Sequence, residues 1–121
     1  MMGEYMLCST QAIAEGSAKG FNLNGGHTDT FFVVRKNNRF FAYLDICPHY
    51  NSTTLPWKRH EYTDVAGEHI VCAAHGALFN IETGACVQGP CKNQFIKKIP
   101  IQIKSEQQIW ISEKTIKVFK L

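Results

Sequence analysis

No run of apolar residues in this chain approaches the length of about 18 that marks a candidate membrane-spanning helix. The first ten residues lack the basic stretch, apolar core and small-residue cleavage site of an export signal. These absences point to a cytoplasmic protein with no membrane partner. Charge of one sign is also scarce: 13 Lys and Arg stand against 10 Asp and Glu, and the net +3 is spread along the chain without a basic tail. That argues against nucleic acid as a partner. The basic residues gather toward the C-terminal part, from Lys92 through Lys97, Lys98, Lys104, Lys114, Lys117 and Lys120. Their alternation with apolar residues suggests the solvated faces of strands. No segment sustains a helical repeat beyond about two turns. No set of acid, base and nucleophile is recognisable, so no catalytic residue and no activity of its own are expected.

A chain of 121 residues makes about one domain, here taken as 1–121, and can bury roughly two thirds of its unfolded surface without disulfides. In a reducing compartment its five cysteines read as ligands, core residues or redox-active thiols. The scaffold reads as antiparallel β, because period-two alternation and β-rich composition recur. Residues 29–35 and 40–45 flank Lys36-Asn37-Asn38-Arg39, a hairpin signal. Phe31, Phe32, Phe40, Phe41 and Tyr43 would supply core. Residues 5–8 and then 11–21 should hold one edge strand and a connection, with a turn at Asn22-Leu23-Asn24-Gly25-Gly26. Near the end, 95–104, 108–112 and 115–121 are expected as three strands closing a sheet.

The chemistry concentrates between these outer strands. Cys47-Pro48-His49 and, after 22 intervening residues, Cys72-Ala73-Ala74-His75-Gly76 each offer one thiolate and one imidazole. Thiolates suit one iron and neutral imidazoles another, so interleaved boxes of this kind give a cluster with two unlike iron sites. A structural Cys2His2 zinc site uses the same residue types but ordinarily pairs like with like, which makes it the lesser alternative. Pro48, Gly76 and Gly89-Pro90 supply the tight backbone that cluster loops need. Residues 46–91 read as a small cluster-binding subdomain inserted into a β-sandwich or barrel.

In Cys47-Pro48-His49, Cys72-x-x-His75-Gly76-Ala77-Leu78-Phe79, Thr83-Gly84 and Gly89-Pro90, the chain resembles the Rieske-type [2Fe-2S] ferredoxins over nearly its whole length. The resemblance implies an all-β Rieske-like fold, Cys47 and Cys72 on one iron, His49 and His75 on the outer iron, and the Gly89-Pro90 loop as a cover. It also implies a one-electron carrier between a reductase and an oxygenase or related redox enzyme. The alternatives are the small subunit of a multisubunit reductase, similar to that of nitrite reductases, and a redox-sensing module using Cys86 and Cys91.

Several residues depart from the respiratory members of the family. Ala77 and Phe79 occupy the positions where those members carry a Ser and a Tyr that donate to the cluster. Asn51 and Ala74 stand where they carry two further cysteines. A low-potential soluble carrier is expected. The stretch between the boxes is also longer than is usual, and Trp57 is expected to pack the extra loop or form a docking edge. Cys8 is expected as a buried strand residue, and His27, His60 and His69 as surface or structural histidines.

Overall fold

The computed structural model describes residues 3–26, 28–46, 55, 62–72, 76–89 and 93–121. Among these the chain forms strands β1 (Glu4–Ser9), β2 (Ala18–Phe21), β3 (Phe31–Lys36), β4 (Arg39–Leu44), β5 (His69–Cys72), β6 (Ala77–Asn80), β7 (Cys86–Gln88), β8 (Lys98–Ile99), β9 (Gln102–Lys104) and β10 (Gln108–Ser112). One short helix, α1 (Glu113–Phe119), follows. The strands make three antiparallel sheets with the orders β1-β10-β9, β2-β3-β4-β8 and β5-β6-β7.

The four-stranded sheet is the middle layer, and its sequence shows why. Phe31-Phe32-Val33-Val34 is apolar without interruption, and all four side chains are buried. Successive side chains on a strand point to opposite faces, so an unbroken apolar run is what a strand covered on both sides requires. Phe31 and Val33 join Ala42, Ile99, Ile109, Ile111 and Leu121 in one core, against β10 and the chain end. Phe32 and Val34 join Phe41, Tyr43, Ile70, Cys72, Ala77 and Phe79 in another, against β5 and β6.

The β3–β4 hairpin turns where the sequence signals it. Asn37 and Asn38 take φ of 53° and 59°, and Lys36 faces Arg39 across the ladder. Two consecutive positive φ values define the turn whose twist matches the flanking strands, and asparagine tolerates them. The Glu15 carboxylate accepts the N–H groups of Asn37 (2.6 Å) and Asn38 (2.9 Å), which hold it below the usual carboxylate range. The other early expectations are met in part. β1 is an edge strand, but β2 is a second one, at the edge of the middle sheet, where only a connection is expected; Cys8 on β1 is half-buried rather than buried, with burial pushing its thiol up.

Two expectations near the C-terminus are corrected. The segment 95–104 is not one strand: β8 belongs to the middle sheet and β9 to the β1-β10-β9 sheet, with Pro100 in the break. Residues 115–121 are not a strand but lie mostly in α1. The Ser112 hydroxyl oxygen accepts the Thr115 N–H at 3.1 Å as a helix cap, and Glu113 pairs with Lys117 one turn on at 3.7 Å. Lys120, at φ 56°, ends the helix in the left-handed conformation. The alternation of Thr115, Ile116, Lys117, Val118 and Phe119 imitates a strand, but Val118 is 64% exposed while Ile116 and Phe119, three apart, turn toward the core. Of the C-terminal lysines, Lys114, Lys117 and Lys120 therefore sit on this helix or its cap rather than on a strand.

Candidate metal centre

The second ligand box begins at the end of β5. Cys72 is completely buried, paired across the ladder with Ala77 at the start of β6. Gly76 is tied back to the end of β5: its N–H donates to the Cys72 carbonyl at 2.8 Å. Gly76 adopts φ of 66°, and a Cβ there would meet nothing within 4 Å. Downstream, β7 returns beside β6, with Gln88 opposite Leu78. Gly89 then comes so close to β6 that a Cβ on it would lie 2.9 Å from the Ala77 Cα and 3.0 Å from the Ala77 Cβ. Cys72, Gly76 and the approach to the Gly89-Pro90 loop thus meet at one end of the β5-β6-β7 sheet. Cys86, on β7, is buried, and its Sγ donates to the Gln88 carbonyl at 3.5 Å.

Cys47, Pro48, His49, His75, Pro90 and Cys91 lie outside the described residues, as do His27, Trp57 and His60. His69 is described and structural. Its Nδ1 lies 3.0 Å from Asp64 Oδ2, while Asp64 Oδ1 accepts the N–H groups of Glu68 and His69. Burial works to raise the Asp64 pKa, but these hydrogen bonds prevail and hold it below the ordinary value. Among the described residues no three His, Cys, Asp or Glu side chains gather in a way that could hold a metal elsewhere.

The structure adds a buried polar cluster that the sequence did not announce. The Tyr62 hydroxyl oxygen lies 2.7 Å from Asp45 Oδ2 and 2.9 Å from Asp29 Oδ2, and Asp45 Oδ1 accepts the Leu55 N–H at 2.8 Å. All three side chains are buried, and the Tyr62 ring stacks on Phe32 with centroids 4.0 Å apart. Burial, with the neighbouring carboxylates, pushes the phenol far up. Burial likewise raises the Asp45 carboxyl, with Asp29 adding to it. The only sequence signal was the place of Asp45, two residues before Cys47.

A sequence profile of the Rieske [2Fe-2S] domain matches residues 3–118. The chain belongs to the Rieske [2Fe-2S] domain family. The ferredoxin component of the p-cumate 2,3-dioxygenase system of Pseudomonas putida is 30% identical over 101 residues, 84% of this chain and 79% of that protein. Among solved structures, the ferredoxin of carbazole 1,9a-dioxygenase from Nocardioides aromaticivorans superposes with a TM-score of 0.67 at 19% identity, covering 89% of this chain and 96% of that one. The proposed small subunit of an NADH-dependent nitrite reductase from Mycobacterium tuberculosis gives 0.62 at 16% identity, with 93% and 96% covered. At those identities the two structures show the fold alone. For a Rieske domain the implied cofactor is one [2Fe-2S] cluster. The described residues fit it, with a cysteine fully buried at a strand end, open space beside Gly76, and a glycine loop packed on the next strand with no room for a side chain. No described helix is long and apolar enough to cross a membrane.

Proposed function

We propose that Cys47 and Cys72 hold one iron and His49 and His75 the other, that Pro48, Gly76, Gly89 and Pro90 shape the surrounding loops, and that 46–91 works as the cluster-binding subdomain. When bound, such a cluster takes up and gives back one electron. The chain then acts as a ferredoxin-like carrier between a reductase and an oxygenase or related redox enzyme. It has no catalytic residues of its own and works in the cytoplasm, where cysteines serve as ligands more readily than as disulfides. The observation that carries this reading is the buried thiol of Cys72 at the end of β5, across from the Ala77 that Gly89 packs against. Support for the partners comes from the P. putida relative, a component of a dioxygenase system.

The protein's own groups set the potential. Hydrogen-bond donors to the cluster or its thiolates stabilise the reduced, more negative state and raise the potential. Ala77 and Phe79, both fully buried, offer no hydroxyl where the respiratory type has two. The midpoint should fall near the bottom of the range of roughly −150 to +300 mV known for Rieske centres. An electrochemical titration giving a value above about +100 mV would overturn this. Electron paramagnetic resonance of dithionite-reduced protein, with iron and zinc counted on the same sample, tests the centre itself. A rhombic signal with mean g below the free-electron value and two irons per chain is expected. One zinc per chain, with no signal after iron reconstitution, would replace the cluster by a structural metal site.

The mildly basic balance favours a second reading, the small subunit of a larger reductase, because a net +3 suits a different partner surface from that expected of an acidic carrier. Co-purification with a large subunit would decide for it. Cys86 and Cys91 form a candidate thiol pair flanking the cover loop. The burial of Cys86 supports a packing role, and thiol counting under oxidising and reducing conditions separates that from a redox-sensing one.

A further inference from the structure

The two proposed ligand boxes are separated by 22 residues, yet one residue is tied to the approach to both, by its main chain to one and by its side chain to the other. The Tyr62 carbonyl accepts the N–H of Val71 at 2.9 Å, one residue before Cys72. The Tyr62 hydroxyl lies 2.7 Å from Asp45, two residues before Cys47. Asp45 in turn takes the Leu55 N–H with its other oxygen. The chain that carries the first box therefore leaves from Asp45 and is tied back to the same carboxylate at positions 10 and 17 residues downstream.

Burying a carboxylate carries a desolvation cost that an apolar side chain would avoid. The Phe32–Tyr62 stack alone would be served as well by phenylalanine at position 62. What the polar group adds is direction: it fixes the distance between two strand ends that each lead into a pair of ligands. It also divides a long loop into shorter closures, which reduces the freedom the loop would otherwise keep.

We propose that Tyr62 and Asp45 are positioning residues that set the spacing of the two ligand boxes, and thereby how tightly the cluster is retained and what electronic environment it has. The proposal rests on Cys47, His49, Cys72 and His75 being the ligands. It concerns geometry, with Asp29 as the second acceptor that anchors the phenol from the β2–β3 side.

The test uses the full chain loaded with its cluster. Tyr62→Phe removes both hydroxyl contacts, and Asp45→Ala removes both carboxylate contacts. Asp45→Asn keeps an oxygen for the Leu55 N–H and an amide to donate to the Tyr62 oxygen, whose own proton then goes to Asp29. Iron release to a chelator should be about 10- to 100-fold faster in Tyr62→Phe and Asp45→Ala, the usual cost of losing a group that orients metal ligands. Their reduced spectra should show shifted or broadened g-values. Asp45→Asn should restore both the wild-type release rate and the wild-type spectrum. Ile109→Ala, in the core on the far side of the middle sheet, should lower thermal stability without changing either. Where Tyr62→Phe gives no soluble protein, the two Asp45 variants carry the same comparison. Unchanged release and spectra in Tyr62→Phe and Asp45→Ala would overturn the proposal alone, as would equal acceleration in Ile109→Ala. A wild-type protein with no two-iron signal would overturn the ligand assignment and the proposal with it.

Discussion

Cys72→Ser should yield protein without iron and without a rhombic reduced-state signal, while the β5–β6 hairpin persists in its circular dichroism. The substitution is nearly isosteric, and the ladder around position 72 is made by backbone groups, so the local fold does not depend on the sulfur. The ligand chemistry does. Iron in these clusters is held by soft thiolates, and a hydroxyl is a harder donor that resists deprotonation near neutral pH. Cys72 is fully buried, so if it is an iron ligand as proposed, water has no ready route to take the place of its sulfur. The buried hydroxyl adds a penalty of about 1–3 kcal/mol unless it finds an acceptor, tolerable in a domain whose stability is of order 5–15 kcal/mol. Metal analysis and paramagnetic resonance on the purified variant provide the check. Two irons per chain with an intact signal would mean that the thiolates come from elsewhere.

Gly89→Ala should destabilise the protein by roughly 3–5 kcal/mol and lower its melting temperature by more than about 10 °C. Two independent costs meet at this position. At φ of 112° the backbone lies where side-chain-bearing residues are strained, and the added methyl would sit 2.9 Å from a main-chain carbon of Ala77, which cannot rotate away. Gly76→Ala separates these costs. It too has positive φ, 66°, but open space around the missing Cβ, so it should lose only the dihedral part, about 1–2 kcal/mol. Calorimetry of both variants decides: equal losses would show that the contact between the Gly89 loop and β6 relaxes freely.

The parts of this molecule that could be read from sequence are those set by neighbours in the chain. Asn37-Asn38 announces its hairpin because positive φ at two adjacent residues is a local demand. The unbroken apolar run at β3 marks a strand, though only the three-sheet arrangement explains why neither face is polar. The alternation of 115–121 fits a strand equally well, and the feature that decides for a helix is the Ser112 cap with its one-turn pairing of Glu113 and Lys117. The two Cys/His boxes stand out as residue types at fixed spacing; of the four ligands proposed from them, Cys72 alone lies among the described residues, buried at the end of β5. The Asp29–Tyr62–Asp45 group does not stand out, since it joins three distant positions whose identities are ordinary and whose meaning lies wholly in their meeting.

A sheet with hydrophobic core on both faces serves as a shared wall between two rooms. Side chains on β3 cannot be traded for polar ones, and neither room can be emptied without exposing the other. The amides of β3 and β4 should therefore be the last to exchange with deuterium, and opening them should require unfolding of the whole domain. The outer sheets carry no such obligation on their outward faces. Substitutions can be written on those outward faces while the middle layer serves as an unaltered chassis.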